Sequence, residues 1–295
     1  MYELIKVGEK TYYLNSPTKI GIYLVDDKNV YLIDSGNDKD AGRKIMKILD
    51  ENNWNLLGMI NTHSNADHIG GNKYLQQKTG CKIISTEIEN VFAKYPILES
   101  SFLYGGYPCS KLRNKFLLAA SCEPTNSVDN FLPDGLEYIQ LDGHYFGMIG
   151  IKTSDNIYFL ADCVFSENII NKYHLCFIYD VKEFLLTLDK IEQLEGKLYI
   201  PSHAEVTQNI TTLTKVNRDK VYEIIDNITK ICSNKMCFED ILKKVFDMYN
   251  LNMDFNQYVL VGSTIRSYLS YLHDENRIEC IFEDNRLLWK KIDII

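Results

Sequence analysis

Short apolar runs separated by polar turns make up the first third of the chain. Residues 21–25 and 30–33 are apolar and the four residues between them are polar, which is the pattern of a β-hairpin. Residues 39–52 repeat their apolar side chains at helical spacing, and residues 56–60 form another apolar run. A strand, a helix and a strand in succession predict a layered α/β arrangement.

The same strand pattern returns in a weaker form in the middle of the chain. Residues 149–152 and 157–160 are apolar around a polar turn, and the second run stops at Asp162, as the first hairpin stops at Asp34. We therefore expect two similar halves that form an α+β or α/β sandwich within residues 1–215.

Residues 90–132 lie between these halves and are rich in aromatic and turn residues. Two interpretations stay open for this segment. It is either a helical lid over a site or a helical insertion that packs its aromatic side chains into the body of the domain. Within it, Tyr107 is a candidate substrate-binding residue.

From about residue 216 the pattern becomes helical. Three helices are predicted at 221–231, 238–248 and 258–272, and a hairpin follows at 278–289. This order predicts a small winged-helix-like domain over residues 216–295. Because the segment carries more acidic than basic residues, we expect it to dock onto the main domain or to form a homodimer rather than to bind DNA.

Composition narrows the function classes. The formal net charge of −8 disfavours nucleic acid as a partner and favours a small-molecule substrate. No apolar run approaches the roughly 20 residues that a bilayer span needs, and the start of the chain has no signal-peptide pattern, so we expect a cytoplasmic protein without a membrane partner. The eight cysteines contain no CxxC pair and are expected to be reduced thiols.

Candidate chemistry lies at the ends of apolar runs. Four of the six histidines follow such runs, and two aspartates accompany them. Layered α/β folds build their sites at strand ends, and imidazoles together with carboxylates are typical metal ligands. The pattern therefore predicts a metal centre. Its residues are His63, Asp67, His68, His144, Asp162 and His203.

These residues resemble the motifs of the metallo-β-lactamase fold superfamily of metal-dependent hydrolases. Residues 63–71, HSNADHIGG, are similar to the family's HxHxDH motif and the glycine-rich helix start after it, and the later histidines and Asp162 match its later motifs in order. Residues 32–36, LIDSG, are similar to the family's early strand, whose aspartate, here Asp34, supports the metal loop. The resemblance covers about residues 1–210 and implies an αβ/βα sandwich with metals at one edge.

The resemblance also implies a set of ligands for two metals. The first metal would be held by His63, position 65 and His144, the second by Asp67, His68 and His203, and Asp162 would bridge both. Zinc suits such ligands, with one or two ions per chain, and iron or manganese is an alternative. The two aspartates are the catalytic candidates, because they would orient a metal-held hydroxide or take up its proton.

Position 65 departs from the family motif, because Asn65 offers a neutral amide oxygen where the family has an imidazole. Three outcomes stay open. The centre is a weakened two-metal site, or it holds one metal in the second site alone. In the third, one iron is bound by His63, His144 and Asp162, an arrangement that resembles the persulfide dioxygenases of this superfamily.

The residues next to the candidate ligands indicate how wide and how aromatic the pocket is. Tyr145 and Phe146 follow the third-motif histidine where the family has small residues, which indicates a narrower or more aromatic pocket. Tyr145 is a candidate donor to an oxyanion, with core packing as the alternative. Cys163 is expected to point away from the metals that Asp162 faces, because neighbouring residues of a strand face opposite sides.

Together these features predict a metallo-hydrolase that attacks a small ester, thioester or lactone with a metal-held hydroxide. The main alternative is a binding or regulatory protein that keeps the fold but has lost a competent metal centre. A mononuclear iron oxidoreductase and a DNA-binding regulator are further alternatives. The sequence does not name the substrate, because specificity depends on the loops around a site.

Overall fold

The larger sheet of the protein has seven strands. They are β1 (Glu3–Lys6), β2 (Thr11–Asn15), β3 (Ile20–Leu24), β4 (Asn29–Ile33), β5 (Asn55–Ile60), β6 (Lys82–Ser85) and β7 (Asn126–Ser127), in a computed structural model that describes residues 2–293. The strands lie side by side in chain order. Neighbours are antiparallel from β1 to β4 and parallel from β4 to β7.

A second sheet has four strands. They are β8 (Leu136–Gln140), β9 (Ile149–Thr153), β10 (Ile157–Phe165) and β11 (Leu198–His203), in the spatial order β11-β10-β9-β8. β11 is parallel to β10, and the other neighbours are antiparallel. Buried side chains from both sheets form one cluster, to which the first sheet gives Ile33 and Ile60 and the second gives Ile151 and Phe159. The two sheets therefore pack face to face around a shared core.

Ten helices accompany the sheets in the described part of the chain. They are α1 (Lys39–Glu51), α2 (Ala66–Ile69), α3 (Asn72–Thr79), α4 (Glu87–Lys94), α5 (Ile97–Tyr104), α6 (Glu167–Tyr173), α7 (Val181–Glu192), α8 (Thr211–Ile231), α9 (Phe238–Met248) and α10 (Phe255–Asp274). Ile45 of α1 packs in one cluster with Leu32 of the first sheet, and Leu188 of α7 packs with Leu160 of the second. Helices thus cover the outer faces of both sheets, which confirms the predicted αβ/βα sandwich.

The two halves share a local topology. In the first, the hairpin β3-β4 is followed by α1 and by β5, which is parallel to β4. In the second, the hairpin β9-β10 is followed by α6, α7 and the parallel strand β11. The sequence placed Asp162 at the end of its strand, but β10 continues to Phe165, so Asp162 lies within the strand.

The segment 90–132 contains helix α5 and the end of α4, followed by an irregular stretch that ends near β7. Phe92 and Phe102 both lie with ring centroids 4.9 Å from Phe146, which supports the interpretation of an insertion packed into the body. Tyr107 and Phe116 in the same segment are 75% and 69% exposed. The segment therefore combines packed aromatic side chains with an exposed rim.

The C-terminal segment contains α8, α9 and α10, followed by the hairpin of β12 (Ile278–Glu283) and β13 (Arg286–Lys291). The predicted order of three helices and a hairpin is thus observed, while the assignment to winged-helix modules stays a prediction. The predicted domain boundary at residue 215 falls inside α8 rather than in a linker. Ile225 of α8 and Ile265 of α10 share one buried cluster with Leu160 of β10, so this segment packs on the second sheet without a separate core.

Among the described residues, no helix is both long and apolar enough to cross a membrane.

Candidate metal centre

The loop after β5 and the short helix α2 supply four of the predicted site residues. β5 leads the chain to His63, Asn65 precedes α2, and α2 itself carries Asp67 and His68. The loop lies very close to the chain that follows β4. At Gly70 a Cβ atom would lie 2.3 Å from the backbone of Asn37, so only glycine fits this close approach.

Asp34 holds this loop in place through hydrogen bonds to Thr62 and a contact with His68. It lies just after β4 with a φ of +62°, and its carboxylate accepts hydrogen bonds from the backbone N–H and the hydroxyl of Thr62, each at 2.8 Å. Its Oδ2 also lies 2.8 Å from Nδ1 of His68, which orients that imidazole with Nε2 toward the site. The supporting role that the family resemblance implied for Asp34 thus has a direct geometric basis.

His144 follows β8 in a turn that depends on Gly143. Gly143 has a φ of +112°, and a Cβ atom there would lie 2.2 Å from the backbone nitrogen of Phe184. Nδ1 of His144 lies 2.9 Å from the carbonyl oxygen of Phe177, which can only accept. The proton of a neutral His144 ring is therefore on Nδ1, and Nε2 presents a lone pair to the site.

His63 is oriented in the same way by its neighbour in the chain. The hydroxyl of Thr62 donates to Asp34, so it is left to accept from Nδ1 of His63, 3.1 Å away. Nε2 of His63 is buried and has no hydrogen-bond partner in the described part of the chain. This nitrogen is therefore free to bind a metal ion together with His144 and Asp162.

Asp162 lies between the two groups of histidines. Its Oδ1 is 3.2 Å from Nε2 of His68, and its Oδ2 is 3.2 Å from Nε2 of His203 and 3.7 Å from Nε2 of His144. This is the position of a bridging carboxylate. The next residue, Cys163, is fully buried in the hydrophobic core, as the alternation along a strand predicts.

Two sets of three side chains could each hold a metal ion. The ligand atoms of each set lie within 4.8 Å of one another, and the sets are His63 with His144 and Asp162, and Asp67 with His68 and His203. In the second set, Oδ2 of Asp67 is 3.1 Å from Nε2 of His203 and accepts a hydrogen bond from the hydroxyl of Thr18 at 3.1 Å. The structure therefore brings together all the histidines and aspartates that the sequence singled out.

Burial lowers the pKa of two of the four histidines, whereas nearby carboxylates raise the pKa of the other two. Burial, reinforced by His68, holds the pKa of His63 well below 6.5, and burial also lowers the pKa of His144. Burial acts in the same sense on His203, but Asp162 and Asp67 outweigh it and raise the pKa of His203 to about 10. The pKa of His68 is raised well above 6.5, because Asp162, Asp67 and Asp34 overcome its burial. A metal entering the second set must displace these protons.

The two aspartates are held in the charged form. Burial works against ionisation of Asp162, but His203 and His68 outweigh it and hold its pKa well below the ordinary range. For Asp67, His68 and His203 overcome the same opposing effect of burial and lower its pKa. Ionised carboxylates are the form that binds a cation.

Unpaired buried atoms test whether this set of residues fits a metal. Nε2 of His63 is buried without a hydrogen-bond partner in the described chain, and Nε2 of His68 lies 3.2 Å from Oδ1 of Asp162, with which it pairs only when the imidazole is protonated. Buried polar atoms are almost always paired, so a free Nε2 of His63 among ligand atoms that lie within 4.8 Å of one another is explained by a cation held between these side chains. Four imidazoles and two carboxylates suit zinc, and the residues present therefore fit the metals that the sequence predicted.

Asn65 also faces the site, through its amide oxygen. Oδ1 lies 3.2 Å from Nε2 of His144, and Nδ2 donates to Oε1 of Glu99 at 2.9 Å. Because Nε2 of neutral His144 carries a lone pair, two acceptors face each other here, an arrangement that a cation between them would stabilise. The predicted role of Asn65 as a neutral, weaker metal ligand stays a prediction, and its amide oxygen lies close enough to His144 to allow it.

Two buried glutamates near the site were not predicted from the sequence. Glu99 of α5 is 5% exposed, and burial raises its pKa well above the ordinary range. Glu89 of α4 accepts from the backbone N–H and hydroxyl of Ser64 and from the backbone N–H of Gly147. A glutamate on a helix is usually exposed, so the sequence gives no signal for either of them.

A cavity of about 600 Å³ opens at the candidate metal centre. Asp67, Asp162 and His203 line it, and so does Tyr145, whose ring centroid lies 5.9 Å from that of His63. The Tyr145 hydroxyl is buried without a hydrogen-bond partner in the described chain. Tyr107, the other predicted substrate-binding residue, does not line this cavity and is largely exposed.

Sequence comparison identifies relatives of this chain. A sequence model of the metallo-beta-lactamase superfamily matches residues 20–203, which is more than half of the chain. Hydroxyacylglutathione hydrolases of Methylococcus capsulatus and Pelagibacter ubique are 33% and 36% identical over 70 and 64 residues, in each case 21% of this chain. These matches cover 27% and 26% of the relatives, so the chain spans about a quarter of the length of these curated proteins.

Solved structures share the fold at low sequence identity. A beta-lactamase domain protein from Burkholderia ambifaria has a TM-score of 0.76 at 13% identity, over 98% of this chain and 94% of that one. A metallo-beta-lactamase family protein from Thermus thermophilus has a TM-score of 0.71 at 14% identity, over 99% and 98%. A metallo-beta-lactamase from Pontibacter korlensis, at 16% identity and a TM-score of 0.58, covers only 75% of this chain and 99% of its own. With the sequence model matched over most of the sandwich, the chain belongs to the metallo-beta-lactamase superfamily.

Proposed function

We propose that this protein is a zinc-dependent hydrolase of a small ester, thioester or lactone. The observation that carries the proposal is the convergence of two compact sets of possible metal ligands at one end of a cavity that can admit a substrate. The sets are His63 with His144 and Asp162, and Asp67 with His68 and His203. Bound zinc would supply a hydroxide near neutral pH and would polarise the carbonyl that it attacks. The remaining chemistry falls to the side chains around it.

Asp67 is suited to handle the proton of the attacking water. Its Oδ2 accepts from Thr18 and lies against His203, which keeps the carboxylate oriented at the mouth of the site. On attack, a bond forms between the hydroxide oxygen and the carbonyl carbon, and the bond to the leaving oxygen or sulfur breaks. Asp67 would hold the proton released by the water and pass it to the leaving group.

Tyr145 would stabilise the charge that develops on the carbonyl oxygen. Burial raises its pKa well above 10, so the hydroxyl keeps its proton and can donate. The absence of a partner for this hydroxyl within the described residues supports a role toward substrate, because buried hydroxyls are usually paired. Such a donor typically contributes about 3 kcal/mol to the stability of the transition state.

The named relatives favour a thioester among these substrate classes. They are called hydroxyacylglutathione hydrolases, and their names describe thioester cleavage, but they are similar to this chain over a short segment only. The side chains that line the cavity include three acidic residues and one lysine, Lys115, in the described chain. A thiol that carries several carboxylates, such as glutathione, would find little cationic support there.

A single iron held by His63, His144 and Asp162 is a second candidate. These three side chains form one of the two geometric sets, and a pair of histidines with a carboxylate is typical of non-haem iron oxygenases. We favour the hydrolase, because Asp67, His68 and His203 form an equally compact second set that an iron oxygenase would not need.

The test combines metal analysis with hydrolysis. Protein purified without added metal is analysed for zinc, iron and manganese, and then assayed with neutral esters, thioesters and lactones. Asp162→Asn should lose most of its bound metal and lower kcat/KM at least about a hundredfold, because one carboxylate serves both metals. Asp134→Asn, at an exposed position in the loop before β8, is the matched control and should change neither quantity.

Two results would count against the proposal. Absence of any transition metal in the purified protein would leave the fold as that of a binding or regulatory protein. Iron alone, with oxygen consumption and no hydrolysis, would favour the second candidate.

A further inference from the structure

The cavity at the candidate metal centre has an apolar wall that the metal chemistry does not require. Its members come from separate parts of the chain: the insertion, the stretch from α6 to α7, and α10. They include Leu117, Ile169, Leu175, Phe177, Leu260 and Val261. Leu117, Leu175 and Val261 are nearly fully buried, so this wall is a packed surface rather than a set of mobile side chains.

Charge is distributed unevenly around this wall. The acidic residues that line the cavity are Asp67, Glu99 and Asp162, all at or beside the metal residues. Lys115 is the one lysine or arginine that lines it in the described chain, and its Nζ is turned toward Asp38, 3.8 Å from Oδ2. The apolar wall therefore offers no charged partner to the part of a substrate that lies away from the metals.

The size of the cavity leaves room beyond a reacting carbonyl. At about 600 Å³ it lies within the roughly 300–1,000 Å³ that accommodates whole small-molecule ligands. An ester group with its hydroxide occupies only the end near Asp162. The rest of the volume is bounded mainly by aliphatic and aromatic side chains, with Asn37 and Gln257 among the polar exceptions, and apolar side chains gain most from covering an aliphatic chain.

We propose that the substrate is an ester or thioester that carries an uncharged aliphatic chain, and that α10 and the insertion bind this chain. The inference rests on the proposed hydrolase function and assigns a role to the C-terminal segment, since Leu260 and Val261 belong to it. Each methylene that enters the apolar wall should raise kcat/KM about fourfold, until the chain reaches the end of the cavity.

The experiment uses the full-length protein with its own bound metal. Values of kcat/KM are measured for 4-nitrophenyl acetate, butyrate, hexanoate and octanoate, and for a second series of acetate esters in which the alcohol chain grows. A steep rise in either series supports the proposal. Hydrolysis with a flat or falling dependence in both series would overturn it and leave the hydrolase function standing.

A variant and its control locate the chain on α10. Leu260→Ala should lower the ratio of kcat/KM for octanoate to that for acetate about tenfold, because the contact is made by the long chain only. Leu186→Ala removes a leucine that is 50% exposed on α7 and does not line the cavity, and it should leave the ratio unchanged. An unchanged ratio in Leu260→Ala would contradict the assignment to α10.

A binding measurement separates this inference from catalysis. Octanamide is neutral and resembles the acyl part of the octanoate ester, so calorimetry should detect its binding to the metal-loaded protein, while acetamide should not bind measurably. Absence of hydrolysis together with octanamide binding would refute the hydrolase function but keep the aliphatic site. Absence of octanamide binding would overturn the aliphatic site itself.

Discussion

At the scale of single residues, the site is organised by contacts to the Nδ1 atoms of three of the four candidate ligand imidazoles, those of His63, His68 and His144. Thr62, Asp34 and the carbonyl of Phe177 each contact Nδ1 of one histidine, and Nε2 of His68 and Nε2 of His144 lie 3.2 Å and 3.7 Å from the Asp162 carboxylate. Asn65 joins them with an amide oxygen instead of an imidazole nitrogen. We therefore expect a metal to bind more tightly at the second set than at the first, where position 65 offers only an amide oxygen.

Asn65→His should raise the metal content toward two ions per chain. A histidine at this position can donate to Glu99 from one ring nitrogen, as the amide now does, and present the other to the first metal. The check is metal stoichiometry after dialysis against a weak chelator. Asn130→His, which adds an imidazole at an exposed position, is the control and should leave the stoichiometry as it is. Equal metal content in wild type and Asn65→His would show that the first site was never weakened.

At the scale of secondary-structure elements, α4 joins the two loops that carry His63 and His144, candidate ligands of the first metal. One oxygen of Glu89 accepts from Ser64, next to His63, and the other accepts from Gly147, in the turn that follows His144. A single buried carboxylate thus fixes the separation of the two loops. Since the loops are far apart in the chain, this link belongs to the assembled element and not to any local motif.

The free energy of unfolding should depend on pH through Glu89. Burial is the main cause that raises the pKa of this carboxyl from 4.5 to about 7. The folded state then binds the proton more tightly than the unfolded state, so stability from this group is present below about pH 4.5 and is lost as the pH rises to about 7. Relative to Glu89→Gln, the metal-free wild type should lose up to roughly 3 kcal/mol over that range.

Urea unfolding of both metal-free proteins at a series of pH values measures this difference. Glu87→Gln replaces an exposed glutamate of the same helix and should alter the unfolding free energy by less than about 0.5 kcal/mol at every pH. A difference between wild type and Glu89→Gln that does not vary with pH would refute the linkage.

At the scale of the whole molecule, one hydrophobic cluster extends across residue 215, where the sequence predicted a domain boundary. One buried cluster contains Leu160 of β10, Leu188 of α7, Ile225 of α8 and Ile265 of α10. α10 also reaches the cavity with Leu260 and Val261. The C-terminal segment is thus part of both the core and the wall of the site.

We expect the sandwich and the C-terminal segment to unfold in one transition, because units that share a core lose their packing together. The chain has two tryptophans, Trp54 in the first half of the sandwich and Trp289 in the C-terminal hairpin. Trp54→Phe and Trp289→Phe each leave one fluorescent reporter, and their urea midpoints should coincide once corrected for the stability of each variant by circular dichroism. A separate, earlier transition reported by Trp289 would instead support an independent C-terminal domain.

The αβ/βα sandwich was implied by the family resemblance. The sequence by itself determined a layered α/β arrangement, the order of three helices and a hairpin in the C-terminal segment, and the six histidines and aspartates that the structure brings together. These follow from local patterns, because apolar periodicity and turn residues reflect short-range geometry, and the residues at strand ends share one edge of a layered fold. Only the tertiary structure decided that Glu99 contacts Asn65, that Glu89 links two loops, that Tyr107 lies away from the cavity, and that α10 lines it. Such contacts join residues distant in the chain, and their partners are set by how helices pack on the sheets, which no local pattern encodes.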